Sequence, residues 1–153
     1  MKILFVCTGN ICRSPAAVAV LRKLISEDSI QDETTVDSAG TFGMYCPTPP
    51  EREMVEVAKS FGYELSGLSR KVTAGDLDSS DLIVCMDESN FTDIKRMISH
   101  EHFSKVHRFI EYIENENLKS IPDPYCGKKS KYLYVFQLLE QGCRNLLNQI
   151  INV

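Results

Sequence analysis

Near its start the chain sets a cysteine, five residues and an arginine in one short stretch: Cys7, then Thr8-Gly9-Asn10-Ile11-Cys12, then Arg13, followed by Ser14-Pro15. A thiolate is a strong nucleophile, and a guanidinium forks two hydrogen bonds onto a phosphate-like oxyanion. The preceding run KILFVC (Lys2–Cys7) reads as a buried strand, and Ser14-Pro15 reads as an N-cap followed by proline at the first helical position. That order puts a sulfur at the carboxyl end of a strand, with a small loop behind it and a helix N-terminus beneath. Backbone N–H groups converge on an anion at such a turn, and the helix dipole favours both the anion and the thiolate. A nucleophile inside an oxyanion cradle is compatible with several cysteine chemistries and suggests phosphoryl transfer through the cysteine. Two other phosphate-binding loops are excluded: GxxxxGK[ST] needs a second glycine and a lysine, and GxGxxG needs more than the lone Gly9.

A chain of 153 residues, 43% hydrophobic and 25% charged, fits one domain spanning 1–153 with a core of its own. A net charge of −4 argues against a nucleic-acid binder. KILFVC is too short for a signal peptide's apolar region, and no apolar run reaches membrane-span length. The expected location is cytoplasmic, with secretion by a signal-independent route left open. Six cysteines without a CxxC pair, in a chain without a secretion signal, read as free thiols. No metal site and no cofactor are expected.

Strand-like and helix-like segments alternate, which implies an α/β fold with a parallel sheet covered on both faces. Strands are expected at Lys2–Cys7, Thr34–Ala39, Leu82–Met86 and Lys105–Phe109. Helices are expected after Ser14-Pro15, from Pro50 to a stop at Gly62, over Asn90–Ile98, and from about Tyr132 to Ile151. Ligands in such sheets sit outside the carboxyl ends of the strands. The segments 39–50, 87–90 and 122–127 are therefore the natural walls of a pocket over Cys7.

VCTGNICRSP, together with Asp123-Pro124-Tyr125, Val36-Asp37-Ser38-Ala39 and Cys85-Met86-Asp87-Glu88-Ser89-Asn90, resembles the low-molecular-weight protein tyrosine phosphatases over essentially the whole chain. The resemblance implies a three-layer α/β/α fold with a four-stranded parallel sheet. It also implies two-step hydrolysis of phosphotyrosine in protein substrates through a phosphocysteine, by a monomer or weak dimer. Carried over residue by residue, Cys7 attacks phosphorus. Arg13 and the N–H groups of Thr8, Gly9, Asn10, Ile11, Cys12 and Arg13 hold the equatorial oxygens. Ser14 donates to the Cys7 sulfur, and Asp123, aimed by Pro122 and Pro124, is general acid and then base. Without the Cys7 loop, Asp123-Pro124 would read as a turn.

Asn10 and Ser38 match positions that brace the loop, and Asp87 is expected to be structural. Gly67 stands where several relatives carry a bracing histidine. Cys12 is the expected redox partner of Cys7. The expected rim is Ile11, Met44, Tyr45 and Tyr125, with Tyr125 stacking on the substrate ring. Many relatives have a second tyrosine after Asp-Pro-Tyr, where this chain has Cys126; Tyr132 and Tyr134 are given no role. Ile11 favours an aryl phosphate, since related arginine phosphatases carry threonine there. A thioredoxin-coupled arsenate reductase of the same fold is the other rival, but it needs a cysteine pair. Met86–Thr92 supplies no partner for Cys85.

Overall fold

The computed structural model describes residues 1–28, 34–43 and 46–152. Its centre is β1 (Lys2–Cys7), flanked by β2 (Thr35–Gly40) and β3 (Leu82–Cys85), with β4 (Val106–Arg108) beyond β3. All pairings are parallel, in the order β2-β1-β3-β4. From Ile3 onward β1 is buried on both faces, which is why it reads as an unbroken apolar run. Its alternate residues serve two cores. Ile3, Phe5 and Cys7 join the core formed with α1 (Arg13–Glu27), α2 (Arg52–Ser60) and α5 (Lys129–Ile151). Leu4 and Val6 join the other, with Leu77 of α3 (Ala74–Ser79) and Phe91 and Ile94 of α4 (Glu88–Met97). The expected four-stranded, three-layer architecture is the one found.

Most expected elements recur with ends shifted by one to three residues. One start differs for a chemical reason. The N-cap of α1 is Cys12, with no side-chain cap, and the helix begins at Arg13 instead of after Ser14. Ser14 lies inside the first turn because its hydroxyl is engaged by the Cys7 sulfur. Pro15 falls at the third helical position, where a missing N–H still costs no intrahelical bond. The sequence reading also missed α3. Thr73 and Asp76 close a reciprocal capping box that starts it. Two 3-10 turns, His100–Lys105 and Phe109–Tyr112, flank β4. Gly62, at φ 80°, terminates α2 as expected.

Register brings the loops together. Cys7, the last residue of β1, pairs with Gly40, the last of β2, and Val6 pairs with Cys85. The segments after β1, β2 and β3 thus start at one edge of the sheet. Gly40 is required there: a Cβ would lie 2.5 Å from the Thr8 carbonyl oxygen.

Candidate active site

The carbonyls of the loop between β1 and α1 face outward. Cys7, Thr8, Ile11 and Cys12 accept from the N–H groups of Thr41 (2.9 Å), Phe42 (3.0 Å), Glu51 (2.8 Å) and Ala16 (3.2 Å). A trans peptide points its N–H opposite to its C=O. The N–H groups of Thr8, Gly9, Cys12 and Arg13 therefore turn toward the other side of the loop. A cleft of about 220 Å³ opens on that side, lined by Cys7, Thr8, Gly9, Ile11, Cys12, Arg13, Phe42, Asp123 and Tyr125.

The Cys7 sulfur is held from below. Ser14 Oγ lies 3.0 Å from it and the Asn10 N–H 3.2 Å. Asn10 reaches this position through a left-handed backbone (φ 56°), which asparagine tolerates better than most residues. Its amide is fully engaged. Oδ1 accepts the Arg70 N–H at 2.9 Å, which fixes the amide orientation, and Nδ2 donates to Ser14 Oγ and Ser38 Oγ, both at 2.9 Å. Since Ser14 Oγ accepts from Asn10, its own proton is left to be donated to sulfur. Such a donor stabilises a thiolate. The bracing closes through Asn10, Ser38 and Arg70 without a side chain at Gly67, where none of the described residues lies within 4 Å of a Cβ position.

Arg13 is 2% exposed, and its guanidinium is fixed in place. Nη1 donates to Asp87 (2.7 Å) and to the Ile121 carbonyl (3.1 Å); Nη2 lies 3.3 Å from Asp123 and 3.4 Å from Thr8 Oγ1. Asp123 is half-exposed and joins both sides of the cleft: Oδ2 meets Arg13, and Oδ1 accepts the Tyr125 N–H at 3.2 Å. A sulfur, a guanidinium, inward N–H groups and a carboxylate thus share one cleft. The set can hold a tetrahedral oxyanion, attack it, and deliver or take a proton.

Of the expected rim residues, Ile11 and Tyr125 line this cleft, whereas Met44 and Tyr45 lie outside the described residues. Asn10 and Ser38 instead line a second cleft of about 240 Å³ behind the loop, with Arg22, Asp37, Gly67 and Arg70. Neither Cys7 nor Asp123 reaches that rear cleft, so it lacks the reactive groups. Cys12 is buried, and that burial, with Glu51, Asp123 and Cys7 nearby, pushes its thiol well above the usual range. Cys85 is fully buried in β3, and burial pushes its thiol up likewise.

Four residues escaped the sequence reading or were undervalued by it. Phe42, 59% exposed, forms part of the cleft wall and is tied by its N–H to the Thr8 carbonyl. Asp87 both pairs with Arg13 and caps α4 by accepting the Asn90 N–H at 2.9 Å. Asn90 is fully buried and donates to Thr8 Oγ1 (3.1 Å), while its Oδ1 has no partner among the described residues. Arg70 clamps Asp37 (2.9 Å) and Asp76 (2.7 Å) beneath the loop. Burial disfavours the Asp76 charge, but bonds from Arg70 and Thr73 outweigh it and hold the carboxyl down to about 2. An aromatic two residues after β2 was the available signal for Phe42. For Asp87 and Asn90 the signal was their place just after a strand, which marked the wall but not their partners; Arg70 gives none short of the topology.

Residues 2–152 match the model of the family described as low molecular weight phosphotyrosine protein phosphatase. The human protein named low molecular weight phosphotyrosine protein phosphatase is 38% identical over 150 residues, covering 97% of this chain and 94% of that protein. The fold superposes on a protein tyrosine phosphatase of Entamoeba histolytica with a TM-score of 0.93 and 33% identity, over 100% of this chain and 97% of that one. It also superposes on the arginine phosphatase YwlE of Bacillus subtilis, with a TM-score of 0.86 and 28% identity, over 98% of this chain and 95% of that one.

Proposed function

Because this chain belongs to the low molecular weight phosphotyrosine protein phosphatase family, we propose that it hydrolyses phosphotyrosine in protein substrates through a phosphocysteine on Cys7. The observation that carries the reading is the sulfur held by Ser14 Oγ and the Asn10 N–H in the same cleft as Arg13 and Asp123. Cys7 attacks phosphorus in line, and the phosphate–phenol bond breaks. Arg13 and the inward N–H groups hold the three equatorial oxygens as charge spreads over them. Asp123 protonates the departing phenolate, then takes a proton from the water that cleaves the sulfur–phosphorus bond. Ser14 stabilises the sulfur as nucleophile in the first step and as leaving group in the second. Asp87 fixes the guanidinium as a positioning residue.

The walls select an aryl ester. Ile11, Phe42 and Tyr125 present apolar faces above the loop, and a flat phenol ring fits between aromatic walls. The likeness to an arginine phosphatase makes phosphoarginine the competing substrate. The reductase alternative lacks support, since Cys85 is fully buried and its thiol pushed up. Hydrolysis of p-nitrophenyl phosphate by wild type and Cys7→Ser, with phosphotyrosyl and phosphoarginyl peptides compared, tests the reading. Turnover by wild type, none by Cys7→Ser and preference for phosphotyrosine are expected. An inert wild type, a fully active Cys7→Ser or a preference for phosphoarginine contradicts it.

A further inference from the structure

The acid loop runs directly into α5, and the helix opens on lysines. Lys128 is the N-cap residue, Lys129 the first helical residue and Lys131 the third, all exposed. This is a poor place for cations. The N-terminus of a 23-residue helix carries the positive end of its dipole, which favours acidic side chains. Here the first turn holds no acid, and the N-cap makes no side-chain hydrogen bond. Among the described residues no carboxylate forms an ion pair with any of the three ammonium groups. Local stability thus gains nothing from these charges.

Their location points to a use. The Gly127 N–H closes a turn onto the Pro124 carbonyl at 2.8 Å, immediately after the pocket-lining Tyr125. A Cβ on Gly127 would lie 3.0 Å from Lys131 Cδ, so the stem of Lys131 lies against this turn. Three peptide units limit the Tyr125–Lys128 Cα separation to roughly 11 Å. Lys128 therefore stands within roughly 11 Å of the cleft-lining Tyr125, with Lys129 and Lys131 following it in the first turn of α5, on a chain whose net charge is −4. A substrate segment leaving the cleft past Tyr125 meets this local positive field.

We propose that Lys128, Lys129 and Lys131 form a docking surface for acidic residues that flank the phosphotyrosine, so that the preferred substrates are acidic phosphotyrosyl segments. The proposal rests on the phosphatase reading. Exposed Lys–Glu pairs are individually weak, but three acting together on one peptide amount to about tenfold in kcat/KM at low salt. Added salt screens the effect.

The test compares a short phosphotyrosyl peptide carrying glutamates on both sides with its glutamine counterpart, for wild type and for Lys128→Gln/Lys129→Gln/Lys131→Gln. Wild type is expected to favour the glutamate peptide about tenfold at low salt, and the triple variant to lose that preference. Thermal melting of the variant is expected to be no lower, because lysines are disfavoured at a helix N-terminus. A wild-type ratio near one, or a ratio unchanged in the triple variant, overturns the proposal. So does lysine-dependent co-sedimentation with phosphatidylserine vesicles in the absence of any peptide preference, which would make the patch a lipid contact. Binding of the same two peptides to Cys7→Ser reads the lysine surface without turnover. A protein inert on p-nitrophenyl phosphate whose Cys7→Ser form still selects the glutamate peptide retains the surface and loses the phosphatase reading; equal binding of both peptides overturns the surface.

Discussion

Replacing Asn10 separates two costs that the structure places on one residue. Its side chain makes three hydrogen bonds, to Ser14, Ser38 and the Arg70 N–H, each at 2.9 Å, and its backbone sits at φ 56°. Asn10→Gly removes the hydrogen bonds but keeps the backbone comfortable. At about 1 kcal/mol for each bond in this buried setting, the loss is roughly 3 kcal/mol. Asn10→Ala loses the same bonds and adds a left-handed residue with a Cβ, at about 1 kcal/mol more. Alanine is therefore expected to be the less stable of the two. At ordinary positions the order reverses, because glycine adds unfolded-state entropy. Urea unfolding of the three proteins measures both gaps. In parallel, Ser14 loses the donor that directs its proton to sulfur, so kcat on a small aryl phosphate should fall at least tenfold in both variants. The reasoning is refuted if alanine matches or exceeds glycine in stability. It is refuted equally if both variants stay within about 0.5 kcal/mol of wild type, the range typical of a surface substitution.

Three further outcomes are expected. Asp123→Ala should slow hydrolysis of phenyl phosphate far more than that of p-nitrophenyl phosphate, since a good leaving group needs no proton; equal losses in kcat would remove the acid role. Asp76 contributes stability that is full above its ordinary value of 3.8 and is lost as pH falls through about 2. Acid unfolding should shift upward in pH in Asp76→Asn, with the gap at neutral pH on the order of 2 kcal/mol, and superimposable curves would discount the Arg70 clamp. Peroxide should convert Cys7 to a sulfenic acid, and Cys12 should then form the Cys7–Cys12 disulfide with release of water, recoverable by thiol reductant. Because burial pushes the Cys12 thiol up, that closure should speed up as pH rises, and a pH-independent rate or no linked peptide would count against it.

Contiguity decided what was legible in the sequence. Cys7 through Ser14 form one loop, so strand end, cradle and nucleophile could be read together. The parallel sheet followed from alternating elements and from the apolar run LIVCM at Leu82–Met86. Asp123 is separated from Cys7 by most of the chain, and its role came from resemblance and not from spacing. Arg70 was hidden, and Asp87 and Asn90 were placed only as part of a pocket wall, for a topological reason: each reaches the loop only because parallel crossovers bring the segments after β2 and β3 to the end of β1. Ser14 shows a different limit. A serine before a proline signals a helix cap, yet its hydroxyl is spent on sulfur and the helix starts earlier without it. Phe42 was passed over because a single aromatic in a loop has no periodicity to mark it. Tyr125, in the same cleft, was found through its place beside Asp123-Pro124.

The central claim is that Cys7 carries the phosphoryl group between the two steps. Rapid acid-free quenching of Asp123→Ala during turnover of an aryl phosphate, followed by peptide mass mapping, tests it directly. The account predicts a phosphoryl group on the peptide containing Cys7, accumulating because water attack lacks its base, and none on the corresponding peptide when Cys7→Ala is added, since alanine cannot accept the group. Turnover with no phosphoryl group on Cys7 at any time point, or with the group on another residue, would contradict it.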